Sequence, residues 1–250
     1  MTITYVIPDV HGCLPELRDA LTKVDLSDPA TRLIFLGDYL DRGPDSAGVL
    51  AAVKGLFDAH PEQVIALVGN HERWIPRLDR RRRRRPDLAA GRRGLRHHEV
   101  VPAVGDHRAG GRRAGGREHR DGQRRTQARD PGPSRRPDRL AAAPAAAPRD
   151  RRAPYVHAGI DEDAGPLWES MTTDEVLTEK FPPSLGKTSV GKTIVAGHTG
   201  VGPLHAREGR MRCWEPFVDE GHVYLDGRVE DTGQLNVMRY DSRTHTTMFL

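Results

Sequence analysis

The chain has 250 residues, 36% of them hydrophobic and 30% charged, with a formal net charge of +4, a length that suits one large domain or two small ones. Its two cysteines, Cys13 and Cys213, exclude a disulfide-stapled scaffold and point to a reducing compartment. No apolar run approaches the ~20 residues of a membrane helix, and Met1 leads straight into the apolar run Ile3 to Ile7 without a basic segment or cleavage site, so a cytoplasmic protein is expected.

Thr4-Tyr5-Val6-Ile7 is a short apolar run ending at Pro8, of the kind that forms buried parallel strands. Leu14, Leu17, Leu21 and Val24 then recur at helical spacing after Pro15, a favourable first-turn residue. Leu33-Ile34-Phe35-Leu36 predicts a second strand, and Val49, Leu50, Val53, Leu56 and Phe57 a second helix. Val64-Ile65-Ala66-Leu67-Val68 predicts a third strand. Each strand runs into a polar motif: Asp9-Val10-His11-Gly12, then Gly37-Asp38-Tyr39-Leu40-Asp41-Arg42-Gly43, then Gly69-Asn70-His71-Glu72. Ligands of open α/β sheets bind beyond the carboxyl ends of strands, so Asp9, Asp38 and Asn70 fall where a site is expected.

The stretch 77–153 breaks this pattern. It contains no Ile, Phe, Tyr, Trp, Met, Asn or Lys, carries six consecutive arginines from Arg80 to Arg85, and shows no helical or alternating period. Its 24 arginines against 9 acidic residues exceed the surplus of the whole chain, so the motif-bearing remainder is net acidic. The missing residue types are largely those with A/T-rich codons, while the abundant ones have G/C-rich codons. Translation out of frame from a G/C-rich gene, restored before Tyr155, is the favoured reading. The alternative is a basic low-complexity insert that supports no core. The arginines have no interleaved aromatic residue for base stacking, so no specific nucleic-acid partner is expected. His97, His98, His107 and His119 within the stretch are read as incidental.

Tyr155-Val156 resumes the strand pattern and runs into His157-Ala158-Gly159, and Thr193 to Ala196 runs into Gly197-His198-Thr199. Val223 to Leu225, Leu235 to Tyr240 and Thr246 to Phe249, separated by turn residues such as Asp226-Gly227 and Asp241-Ser242, are read as antiparallel strands.

The five motifs hold a donor set suited to two divalent cations, because borderline ions accept mixed oxygen and nitrogen ligands. Asp9, His11 and Asp38 are assigned to one ion; Asp38, as the bridge, with Asn70, His157 and His198 to the other. Incomplete protein coordination leaves room for water, and a hydroxide held between two cations is a competent nucleophile for in-line attack on phosphorus. His71 is assigned as general acid, oriented by Asp41. Arg42 offers a planar fork of donors for phosphoryl oxygens. Glu72 is read as a support rather than a ligand, Arg73 as a solvated helix residue, and Cys13 as a small packed hydrophobe. His60, His205, His222 and His245 are read as surface or turn residues.

These motifs, spread over roughly 1–75 and 154–240, resemble the calcineurin-like metallophosphoesterase superfamily. Asp41-Arg42-Gly43 and Asn70-His71-Glu72 resemble its bacterial and phage-like serine/threonine phosphoprotein phosphatase branch. The resemblance implies a four-layer α/β/β/α sandwich in a single domain over 1–250, with 77–153 replacing the usual cap helices. It also implies a dinuclear centre (manganese first, iron or zinc otherwise) and direct hydrolysis without a phosphoenzyme. The expected substrate is a phosphoprotein bearing phosphoserine or phosphothreonine, or a small phosphoester, with no membrane partner. Diadenosine tetraphosphate hydrolysis is the second reading, although that branch resembles Asn-His-Asp more than Asn-His-Glu. An inactive protein binding nucleic acid through its basic stretch is the third. Pro8 stands where the family has glycine.

Overall fold

Alternation along the strands builds two sheets with three apolar interfaces. The computed structural model describes residues 2–74 and 153–250. In the first sheet β1 (Ile3–Ile7), β2 (Arg32–Phe35) and β3 (Val64–Ala66) run parallel, and β8 (Met238–Asp241) joins β1 antiparallel and is itself edged by β9 (Thr246–Phe249), giving the order β3-β2-β1-β8-β9. In the second, β4 (Tyr155–Val156), β5 (Ile194–Ala196) and β7 (His222–Tyr224) run parallel and β6 (Phe217–Val218) closes the edge antiparallel, in the order β4-β5-β7-β6.

Successive strand residues face opposite ways. Tyr5, Ile7, Leu33 and Phe35 pack against α1 (Leu14–Thr22) and α2 (Ser46–Ala59) through Leu17, Ala20, Val49 and Val53. Val6, Ile34, Leu36 and Leu67 point the other way and meet Tyr155, Val195, Val223 and Leu225 of the second sheet. The outer face of that sheet, with Val156, Ile194 and Tyr224, packs on Val201 and Leu204 of α6 (Val201–Arg207). The layers are therefore helix, sheet, sheet, helix, the expected sandwich, with all described residues in one compact unit.

Asp45 caps α2, its side chain accepting from the Gly48 N–H at 2.8 Å, which satisfies one orphan donor of the first turn. Between β4 and β5 the chain makes a 3-10 turn (Glu162–Leu167), α4 (Trp168–Met171) and α5 (Asp174–Glu179). A short α7 (Val229–Thr232) follows β7, and α3 opens at 70, described over 70–74.

Two expectations need correction. The run Val223 to Leu225 falls on β7 (His222–Tyr224), which is flanked by one parallel and one antiparallel neighbour, because β5 reaches it through the crossover helix α6. Leu235 to Val237 precede β8 rather than joining it: the Asn236 amide donates to the carbonyls of Trp214 and Leu225, locking that stretch as a connector. The reading of 77–153, including its histidines, lies outside the described residues apart from Ala153. Among the described residues, no helix is long and apolar enough to cross a membrane.

Candidate metal centre

Every predicted site residue leaves the carboxyl end of a parallel strand. Asp9 and His11 follow β1, Asp38 follows β2, Asn70 and His71 follow β3, His157 follows β4 and His198 follows β5. The turns are tight. His11, Asp38, Asp41, Arg42 and His198 all have positive φ, between 44° and 65°, a region that non-glycine residues rarely adopt. Strain of this kind concentrates at functional sites, where surrounding contacts hold it in place. Those contacts are visible: the N–H groups of Val10 and His11 both donate to the Asp38 carbonyl, and the Gly12 N–H donates to that of Tyr39. Gly69 and Gly197 are required by close approach, since a Cβ there would collide with a carboxylate oxygen of Asp38 and of Asp9 respectively.

The side chains converge. His11 Nε2 lies 3.6 Å from Asp38 Oδ2 and 3.9 Å from Asp9 Oδ2, while His157 Nε2 lies 3.6 Å from Asp38 Oδ1. Asn70 Oδ1 is 3.1 Å from both His157 Nε2 and His198 Nδ1. Two ligand-like groups result, His11 with Asp38 and His71, and Asp38 with His157 and His198, each with its donor atoms within 4.8 Å of one another. Asp38 is common to both. His71 Nδ1 is 2.8 Å from Asp41 Oδ2 and its Nε2 faces Asp38 Oδ2 at 3.9 Å.

Tautomers are set from behind. The Nδ1–H of His11 donates to the Leu40 carbonyl at 2.8 Å, and that of His157 to the Leu36 carbonyl at 3.0 Å, leaving both Nε2 lone pairs aimed inward. Burial pushes the His11 imidazole down to about 4, with Arg42 adding to the effect. Burial also holds His157 well below its ordinary value, helped by the neighbouring His198, and lowers His198 itself. The carboxyls move the opposite way. Burial raises Asp9 well above the usual range, reinforced by Asp226 and Asp38, and raises Asp38, reinforced by Glu72.

These observations test whether the residues suit cations, and they do. His11 Nε2 is buried and has no hydrogen-bond partner among the described residues. Neutral His157 offers Asn70 Oδ1 an acceptor against an acceptor. Buried like charges and unprotonated imidazoles in one pocket are stabilised together by a multivalent cation.

Glu72 holds the frame. Its Oε2 accepts from the N–H of Asp38 (2.9 Å) and Gly69 (3.0 Å), and its Oε1 from that of Tyr39 (2.9 Å). Arg73, expected in solvent, instead donates to the Thr178 hydroxyl at 2.9 Å and ties α5 to this edge. His205 and His222 are buried rather than at the surface: His205 Nε2–H donates to the Glu215 carbonyl, and His222 sits between Asp219 and Glu162. Cys13 is buried beside the site, its thiol pushed up to about 11 by burial, which fits a packed hydrophobe.

Two acidic residues of this region were not singled out from the sequence. Asp226 follows β7, is 3% exposed, and is pushed up to about 6 by burial and the Glu230 charge, against the N–H of Arg228. Glu230, in α7, pairs through Oε1 with Arg42 Nη1 at 2.8 Å. The signal for Asp226 was present: Val223-Tyr224-Leu225 ends on an Asp-Gly pair just as the earlier strands end on their motifs.

Residues 4–202 match the family described as calcineurin-like phosphoesterase. The chain belongs to this family. The calcineurin-like phosphoesterases are metal-dependent hydrolases, and the paired His and Asp groups here suit divalent ions. A symmetrical bis(5'-nucleosyl)-tetraphosphatase of Edwardsiella ictaluri is 47% identical over 70 residues, 28% of this chain and 23% of that protein. One of Janthinobacterium sp. is 38% identical over 69 residues, 28% of this chain and 24% of its own length. The chain thus spans about a quarter of the length of these curated relatives. Among solved structures, a proposed diadenosine tetraphosphatase superposes with a TM-score of 0.53 at 17% identity, over 99% of this chain and 92% of the other. A serine/threonine phosphatase from Saccharomyces cerevisiae gives 0.52 at 12% identity, over 100% and 79%. A cold-active protein tyrosine phosphatase gives 0.53 at 13% identity, over 99% and 78%. At these identities the superpositions establish the shared fold.

Proposed function

We propose that this calcineurin-like phosphoesterase hydrolyses phosphomonoesters, with phosphoserine and phosphothreonine in proteins as its first substrate class. The observation that carries this reading is the sharing of Asp38 between two ligand-like groups, with His71, Asp41 and Arg42 at the same edge. Asp9, His11 and Asp38 would hold one divalent ion, and Asp38, Asn70, His157 and His198 the other. Bound there, the two ions supply Lewis acidity and a water of lowered pKa for attack on phosphorus.

The remaining work falls to side chains. Arg42, its side chain 44% exposed, offers N–H donors to the phosphoryl oxygens, which gain charge as the leaving group departs. His71 presents Nε2 toward the centre while Asp41 accepts from its Nδ1–H, so the ring is held for donating a proton to the leaving oxygen. Glu72 keeps the Asp38 loop in its strained conformation.

A second reading, hydrolysis of dinucleoside polyphosphates, is favoured by the stretch shared with the symmetrical tetraphosphatases. Purified protein titrated with manganese and offered p-nitrophenyl phosphate, a phosphoserine peptide and diadenosine tetraphosphate separates the two. Turnover of the monoesters that Asp38→Asn eliminates supports the first reading. Preferential release of nucleotides from the dinucleotide moves the assignment to the second. Undiminished hydrolysis in the Asp38→Asn protein rejects both.

A further inference from the structure

We propose that Glu230 is the positioning residue that fixes the Arg42 guanidinium for substrate phosphate, an inference that rests on the reading of Arg42 as the phosphate-binding group. The motif supplying Arg42 lies near the start of the chain and Glu230 lies 188 residues later, so no local pattern links them. The fold brings them together because the turns that follow β2 in one sheet and β7 in the other meet where Arg42 and Glu230 pair.

Glu230 is built in rather than attached. Its side chain is 6% exposed, whereas the Arg42 side chain with which it pairs at 2.8 Å is 44% exposed. Val229 beside it is a core residue packed under α1 and α2, and Arg228 before it has φ of 53°, so the backbone bearing the carboxylate is tightly constrained. Oε2 is buried without a hydrogen-bond partner among the described residues. A buried carboxylate with one lone acceptor would be a poor structural choice, since the cost of an unpaired charge falls on the fold. It suits a device in which the acceptor waits for a second guanidinium N–H, closing the pair to a two-bond fork.

Arg42 needs such a device. Its backbone has φ of 63° on an exposed turn, and a long flexible side chain would otherwise be ordered only when phosphate arrives. A fixed anchor at Nη1 moves that ordering into folding and leaves the other guanidinium N–H groups for the ligand. A carboxylate this close could instead compete with phosphate for Arg42. The two effects have opposite signs, and burial decides between them: a carboxylate withdrawn into the fold, opposite the solvent-facing side of the guanidinium, holds the cation from behind.

The test uses the full chain loaded with manganese and inorganic phosphate as the probe. Phosphate affinity is measured by titration calorimetry, alongside kcat and KM for p-nitrophenyl phosphate, in wild type, Glu230→Ala, Glu230→Gln, Arg42→Ala and the Arg42→Ala/Glu230→Ala double variant. Ordering one long side chain corresponds to about three- to ten-fold in affinity. Glu230→Ala should weaken phosphate binding and lower kcat/KM by that factor. Glu230→Gln, which keeps an acceptor for Nη1, should recover most of the loss. In the Arg42→Ala background the Glu230 change should do nothing further. Tighter phosphate binding by Glu230→Ala, or an equal loss in both backgrounds, overturns the proposal. An Arg42→Ala protein with normal phosphate affinity and turnover overturns the reading of Arg42 and the role of Glu230 with it. Thermal unfolding of each variant identifies a misfolded protein, and the Gln variant then carries the decision.

Discussion

Glu72→Ala should cost more than a surface carboxylate would, because three backbone N–H groups depend on it. The donors belong to Asp38, Tyr39 and Gly69, at 2.9–3.0 Å. Burial raises the Glu72 carboxyl above its ordinary value despite these bonds, so its charge is not itself a large source of stability. The loss comes from the orphaned donors. Glu72 is half-buried, so water reaches part of the gap and the low end of the usual penalty applies, about 1 kcal/mol per donor or about 3 kcal/mol in all. The functional loss should be larger, because the same bonds hold Asp38 at φ 53° beside Gly37 at φ 114°. Glu72→Gln keeps one oxygen acceptor but turns an amide NH2 toward the remaining donors, so about 1–2 kcal/mol of loss is expected. Urea unfolding gives the stability difference, and manganese titration calorimetry gives the binding loss. An alanine variant within 0.5 kcal/mol of wild type, a size typical of changes away from structural features, would remove this explanation of Glu72.

Replacing His71 with Asn should lower kcat by about 10²- to 10⁴-fold on a phosphoserine peptide, with a smaller loss on p-nitrophenyl phosphate, whose leaving group departs without a proton; equal losses on both would argue against an acid role. Asp41→Asn should follow the same pattern more weakly, read by the same kinetics. Glu162 and Asp219 flank His222; burial opposes both charges, yet the Ser184 hydroxyl and His222 hold Glu162 below its ordinary value, and the N–H groups of Gly186, Gly221 and His222 do so for Asp219. Groups depressed in the fold contribute stability above their unfolded pKa and lose it as pH falls, so wild type should lose thermal stability below about pH 4 more steeply than Glu162→Gln. Parallel melting curves across that range would contradict it. Re-reading the coding DNA across codons 74–156 should reveal a frame interruption, and an intact frame would leave the basic insert as the explanation.

The strand ends carried most of what was legible. Apolar runs that stop at Pro8, Gly37 and Gly69 are visible because buried parallel strands need continuous hydrophobicity and their turns need special residues. The later half was harder. Phe217–Val218 has only two strand residues, and α4, α5 and α7 have four to six, too short for a period to show. The parallel neighbour of His222–Tyr224 depends on a crossover, which a local window does not see. His222 and His205 looked like surface residues because their partners, Glu162 and the Glu215 carbonyl, are supplied by other segments. Glu230 escaped notice for the same reason: its meaning lies in Arg42, 188 positions away.

Anomalous diffraction from crystals grown with manganese offers a decisive look at the centre. Two peaks are expected, one among Asp9, His11 and Asp38 and the other among Asp38, Asn70, His157 and His198, with both weakened in Asp38→Asn. A single peak, or manganese bound elsewhere while these side chains stay empty, would show that the shared carboxylate does not bridge two ions.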